Sequence, residues 1–285
     1  MHFIKKYAIM DETVFLEVTA LRAGVSTACL YPKPLEEAIY ELAVNGVSNI
    51  EIFLNTQSEL KKGYAHGLAN MLKRFEVNCC AVHPFTCEIE QLMFFSEYER
   101  RMEDALEYHK LYFRLMNIVG ADLFVLHGAK ANHPAEFYCE RYSKLYRLGK
   151  EYGVTVAVEN VSRCRSASAA FIREIAGMLG NEFAFVLDTK QAIRAGENPF
   201  TFLDAAGSRI EHVHISDSGE LGDCLLIGKG SFRFKQFFKK LYSLNPDANV
   251  ILELYRSGFN GISDLVSSYN ILSKMTEQAE KEAVK

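Results

Sequence analysis

No two cysteines in this chain stand at Cys-x-x-Cys spacing. The seven cysteines are an odd number, scattered, with Cys79 directly beside Cys80. That excludes a disulfide framework and points to a reducing compartment. Basic charge is short as well. The 32 lysines and arginines face 36 aspartates and glutamates, a formal −4, so no basic excess exists to hold a phosphodiester backbone. Long apolar runs are missing, since Asp11 and Glu12 interrupt the one that follows Lys5 and Lys6. Neither a signal peptide nor a membrane span is expected. These absences predict a cytoplasmic protein with no nucleic-acid or membrane partner. What is present is ordinary for a globular chain, 285 residues at 49% hydrophobic and 24% charged. That is enough for one large α/β barrel or two smaller domains.

The stretch Val154-Thr155-Val156-Ala157-Val158-Glu159-Asn160 sets the pattern for the rest. A short β-branched run after a glycine reads as a strand buried on both faces, and it delivers a carboxylate at its end. Seven other stretches repeat the theme. They are Val25 to Tyr31, Asn49 to Asn55, Val77 to Pro84, Asp122 to Gly128, Phe183 to Asp188, Ile210 to Asp217 and Asn249 to Tyr255. Between them lie helical spacings, opened by Pro32 and Pro34 or by Pro134 and closed by Gly46, Gly120 or Gly180. A longer insertion, Glu88 to Val119, also has helical spacing. No Pro/Gly/Ser linker divides the chain, and no Gly-rich phosphate turn follows the first strand. Eight alternating units of this kind predict a single (β/α)8 barrel over residues 25–285. Residues 1–24 fall outside the rhythm and are expected to form an N-terminal extension, packed under the barrel or against another subunit of a homo-oligomer.

Active sites of such barrels lie at the C-terminal strand ends. The residues there are Glu51, His83, His127, Glu159, Asp188, His214 and Glu253. Carboxylates and imidazoles converging from separate strands make a nitrogen/oxygen site for a divalent metal. Taken one at a time, each is more often a structural residue. His212 lies one layer deeper than His214 and reads as structural. The loop Ser162-Arg163-Cys164-Arg165-Ser166 follows the fifth strand, where Arg163 and Arg165 suit a substrate phosphate or carboxylate, or simply pair with acidic neighbours. Lys130, His133 and Lys229 are weaker candidates for substrate contact. Tyr98, Tyr108, Tyr112 and Phe113 are core or interface residues, and tryptophan is absent altogether. No histidine-supported thiol pattern accompanies Cys164 or Cys224.

Several motifs in order resemble the xylose isomerase-like TIM barrels over about residues 25–272. They are His127-Gly128, Val158-Glu159-Asn160, Leu187-Asp188-Thr189-Lys190-Gln191-Ala192, His212-Val213-His214-Ile215-Ser216-Asp217 and Gly228-Lys229-Gly230. The resemblance implies one catalytic divalent metal (Mn, Mg, Co or Zn) held by Glu159, Asp188, His214 and Glu253. It leaves room for a second metal, or for substrate, at His83 and His127. Two departures separate branches of that superfamily. Gln191 stands where endonuclease IV-type enzymes carry a zinc-binding histidine and where ketose epimerases place a substrate-contacting one. Asp223-Cys224-Leu225 replaces the endonuclease Asp-x-His, and leucine cannot coordinate zinc. The resulting expectation is an isomerase or epimerase of a carbohydrate, with Glu159 and Glu253 exchanging the proton next to a carbonyl through a metal-stabilised enediolate. The alternatives are an inosose dehydratase-like lyase, an endonuclease on abasic DNA, or a barrel that binds a sugar or partner without turnover.

Overall fold

A computed structural model describes residues 20–85 and 89–283. Eight parallel strands close into a barrel: β1 (Arg22–Ser26), β2 (Asn49–Phe53), β3 (Asn78–His83), β4 (Leu123–Leu126), β5 (Thr155–Glu159), β6 (Phe185–Asp188), β7 (Ile210–Ile215) and, after a hairpin, β10 (Asn249–Leu252). Closure is made by β1 on β10, with Arg22 opposite Asn249 and Val25 opposite Leu252. Helices α1 (Leu35–Val44), α2 (Lys62–Phe75), α3 (Glu99–Val119), α4 (Ala135–Glu151), α5 (Ala169–Leu179), α6 (Thr189–Arg194), α7 (Pro199–Ala206), α8 (Phe234–Leu244) and α9 (Ile262–Ala283) form the outer layer. This is the (β/α)8 architecture expected from the alternation.

Two periodicities build it. On the strands, Val156 and Val158, Val213 and Ile215, and Ile50 and Ile52 face outward to the helix layer. The alternate residues Ala81, Val125, Ala157, Val186 and Ile251 fill the interior. On α8, Phe234, Phe237, Phe238 and Leu241 recur at helical spacing and are all buried. Each contributes roughly 1.5–3 kcal/mol relative to exposure. Interior volume is tight at β1, where a Cβ on Gly24 would lie 2.6 Å from both the Asn49 carbonyl and Ile251 Cδ1. Helix ends follow local chemistry. Ser168 accepts from the Phe171 amide at the start of α5, and α3 stops at Gly120, whose φ of 84° favours glycine.

The sequence expectations shift in four places. β1 begins at Arg22, inside the stretch assigned to the extension, and Thr27–Leu30 is a 3-10 turn rather than strand. The insertion before β4 is broken into a π-turn (Ile89–Phe94) and α3. The β6–β7 connection carries two helices, because Pro199 restarts the chain after Gly196 turns it with φ 75°. Asp217 opens an antiparallel hairpin, β8 (Asp217–Gly219) with β9 (Gly222–Leu225), instead of ending the seventh strand. Residues 1–19, most of the expected extension, lie outside the described residues. No helix among those described is long and apolar enough to cross a membrane.

Candidate metal centre

The period of two that points Ala157 inward also points Glu159 inward, two residues on. The same step places Asp188 after Val186, Glu253 after Ile251, His83 after Ala81 and His127 after Val125. Donor atoms of Glu159, Asp188, His214 and Glu253 all lie within 4.8 Å of one another, so the four residues expected to share one ion do meet. Two further groups satisfy the same condition: His83, His127 and Glu159, and Glu51, His83, His214 and Glu253. Except for Glu253, whose side chain is 13% exposed, every member is buried. A nitrogen/oxygen donor set of this kind fits a hard or borderline divalent ion.

His214 is the hub. Its Nδ1 stands 2.9 Å from Glu159 Oε1 and its Nε2 2.9 Å from Glu51 Oε2. Burial works against the charged imidazole, but Glu51 and Glu253 nearby, with the hydrogen bonds to Glu159 and Glu51, hold its pKa well above the usual value. Conversely, burial would raise the Glu159 carboxyl, and the hydrogen bond and charge of His214 outweigh it and hold the group far below the carboxylate range. Glu51 is likewise held down, against burial, chiefly by His214. Asp188 goes the other way. Burial, reinforced by Glu159 and Glu253, pushes it up to about 6 in spite of Lys190. Displaced values of opposite sign within one cluster follow from burial and from the close pairing of these charges.

Lys190 is the residue that the sequence reading overlooked. It sits at the second position of α6, and its Nζ reaches Asp188 Oδ2 at 2.8 Å and Glu253 Oε2 at 2.7 Å. In the sequence it stands inside the motif Leu187-Asp188-Thr189-Lys190-Gln191-Ala192, two residues beyond a strand-end carboxylate, and neither place assigns it a role. Glu90, in the π-turn, was also missed. It is buried and accepts from the His127 amide at 2.9 Å while facing His127 Nδ1 at 3.2 Å. Asn160 ties β5 to β6, accepting from the Asp188 amide at 2.7 Å and donating to the Asp188 carbonyl at 2.9 Å.

Above the cluster opens a cavity of about 470 Å³ lined by His83, His127, Glu159, Lys190 and Glu253, with Tyr31, Phe53, Phe85 and Tyr255 as aromatic walls. Arg163 and Gln191 line it too, and Gln191 Oε1 accepts from the Ser162 amide. Arg165 does not reach it. Its Nε donates to the His133 carbonyl and its guanidinium lies over Phe171, so the expected pair of arginines becomes one. Asp223, a candidate for a second metal or for substrate, joins none of the donor groups found among the described residues and does not line this cavity; Arg194 holds both its oxygens at 2.5 and 2.9 Å. His212 lies beneath, its Nε2 3.0 Å from Glu51 Oε2, in keeping with a structural role. Lys130, His133 and Lys229 are not among the cavity-lining residues.

The family model for the xylose isomerase-like TIM barrel matches residues 39–278. No curated protein matches the sequence. Among solved structures, a D-tagatose 3-epimerase-like protein superposes with a TM-score of 0.75 at 21% identity, covering 92% of this chain and all of the other. An L-ribulose 3-epimerase gives 0.74 at 16% identity, over 92% of this chain and 97% of its own. The D-psicose 3-epimerase of Clostridium cellulolyticum H10, solved with D-tagatose, gives 0.73 at 13% identity, over 91% and 99%. At these identities the likeness is one of fold.

Proposed function

The chain belongs to the xylose isomerase-like TIM barrel family, and from that premise we propose that it is a divalent-metal-dependent isomerase or epimerase of a sugar or sugar phosphate. The observation that carries this reading is the meeting of two carboxylates, Glu159 and Glu253, on one cavity and in one donor cluster with Asp188 and His214. Those four residues would hold the ion. When bound, it supplies Lewis acidity towards a carbonyl and the neighbouring hydroxyl. One of the two glutamates removes the proton from the carbon beside the carbonyl. The other returns one to the opposite face, for epimerisation, or to the adjacent carbon, for isomerisation. The aromatic walls limit water and suit the apolar face of a sugar. Arg163 enters none of the ion pairs found among the described residues, which leaves its charge for an anionic group on the substrate.

An abasic-DNA nuclease fits the same residues poorly, because Asp223 is taken up by Arg194 and the residue two further on is Leu225. The decisive experiment is metal analysis of the purified protein followed by deuterium exchange at the α-carbon of ketoses and their phosphates. Exchange is expected with the wild type, and Glu159→Gln or Glu253→Gln should lower it by about 10²–10⁴-fold. Metal-loaded protein that exchanges no proton on any keto sugar would refute the proposal. The product mass separates this reaction from a lyase that starts with the same proton abstraction and then expels water.

A further inference from the structure

Elsewhere in this molecule large rings pack on one another. Phe95 and Tyr138 stand 4.8 Å apart between ring centres, and Phe185 and Phe202 5.9 Å. The four rings of the cavity wall behave differently. Among the described residues, no two of Tyr31, Phe53, Phe85 and Tyr255 make a ring contact with each other. Phe53 meets the edge of His83 at 5.1 Å. Tyr255 is steadied by Arg194, whose guanidinium lies 4.9 Å from its ring centre and whose Nη1 donates to its hydroxyl at 2.6 Å. Tyr31 and Tyr255 are nevertheless 58% and 47% exposed.

Their places around the barrel are contiguous. Tyr255 follows β10, Tyr31 follows β1, Phe53 ends β2 and Phe85 follows β3, and the closed sheet runs through these four strands in that order. Directly across the ring from β1 and β2 stand β5 and β6, which supply Arg163 and Gln191. An aromatic arc therefore faces a polar one. A bare sugar accounts for the polar arc, but its one apolar face cannot cover rings spread over four strands. Its hydroxyls would leave the outermost of them in water. Exposed aromatic surface gathered on one side of a cavity is the mark of an apolar ligand group.

We propose that the substrate is a keto sugar carrying an aromatic or other planar apolar substituent, which this arc holds while the sugar reaches Glu159 and Glu253. The proposal rests on the isomerase or epimerase reading and names the substrate class of the same cavity. A flat group entering between the rings makes the contacts they do not make among themselves. Each such contact is worth about 2–10-fold in affinity.

The test is α-proton exchange by the metal-loaded enzyme on ketohexoses and on their 1-O- and 6-O-benzyl ethers. For at least one ketose the benzyl ether should exceed its parent in kcat/KM by about tenfold or more, the difference lying in KM. Tyr31→Ala should lower that ratio by about 2–10-fold, and Tyr31→Phe, which keeps the ring, should restore it. Phe85→Ala serves as a second variant at the β3 end of the arc, with the same fall expected. Ketoses that exchange while none of their ethers does better would overturn the aromatic arc as a substrate site and leave the proposed reaction standing. So would a preference for the ether that survives both alanine variants. No exchange on any ketose or ether would overturn both.

Discussion

Replacing Lys190 by methionine removes the ammonium that stands 2.8 Å from Asp188 Oδ2 and 2.7 Å from Glu253 Oε2, with the three side chains only 5%, 1% and 13% exposed. Breaking a buried ion pair by deleting one partner typically costs 3–5 kcal/mol, because the surviving charge is left desolvated. For a domain of this size, with about 2–4 °C per kcal/mol, the metal-free melting temperature should fall by about 6–20 °C. Asp188 moderates the loss. Its carboxyl already titrates near 6, and without Lys190 it takes up a proton more readily. The deficit should therefore be small near pH 6 and grow towards pH 8. A divalent ion competes with Lys190 for the same two oxygens, so the variant should gain more from added Mn²⁺ or Zn²⁺ than the wild type does. The assay is a thermal melt of stripped and metal-loaded protein at several pH values. A metal-free variant that melts within 2 °C of wild type at pH 8, on the order of the shift from 1 kcal/mol or less, would refute the reasoning. So would a metal-induced gain no larger than the wild type's.

Asp217 accepts from the amides of Ser218, Gly228, Gly230 and Phe232 at 2.8–3.0 Å, so Asp217→Asn should cost about 2–3 kcal/mol, read as a lower denaturant midpoint. Gly230 is locked into the same loop, since a Cβ there would lie 2.4 Å from the Ser218 carbonyl; Gly230→Ala should unfold at lower denaturant too. His214 has a folded pKa raised above its unfolded value, so its stabilisation is complete below about 6.5 and is lost as pH climbs through the raised value. Metal-free protein should thus weaken on the alkaline side of neutrality, which denaturation at stepped pH will show, and an alkaline rise in stability would contradict it. Arg163→Gln should raise KM for a phosphorylated or carboxylated substrate by about tenfold or more while changing kcat little, the value of one charge-assisted hydrogen bond.

The barrel and its inward carboxylates were legible because they depend on a period of two. Val156, Val158 and Glu159 announce strand, outer face and interior end without any knowledge of the neighbours. Connections were less legible. The Glu88 to Val119 spacing reads as one helix, yet the chain turns at Ser96, where its carbonyl receives a hydrogen bond from Arg141. No local pattern contains that partner. The same holds at the centre. Arg165 looked as available as Arg163, and only the position of Phe171 and the His133 carbonyl turns it away from the cavity. Lys190 escaped notice because a lysine in the first turn of a helix reads as solvated; what buries it is Glu253, 63 residues further on. Side chains whose role is fixed by backbone periodicity could be found, and those fixed by a distant partner could not.

The seam between the first and last strands has a consequence for synthesis. Arg22 donates to the Asp247 carbonyl across 225 residues, and β1 finds its second neighbour only in β10. At about 5–20 residues per second, a ribosome needs roughly 11–45 seconds to supply that neighbour. Throughout that interval the emerging polypeptide carries an open sheet margin, and Glu253, one carboxylate of the donor cluster, does not yet exist. Until β10 has been made, that margin is open to pairing with another chain.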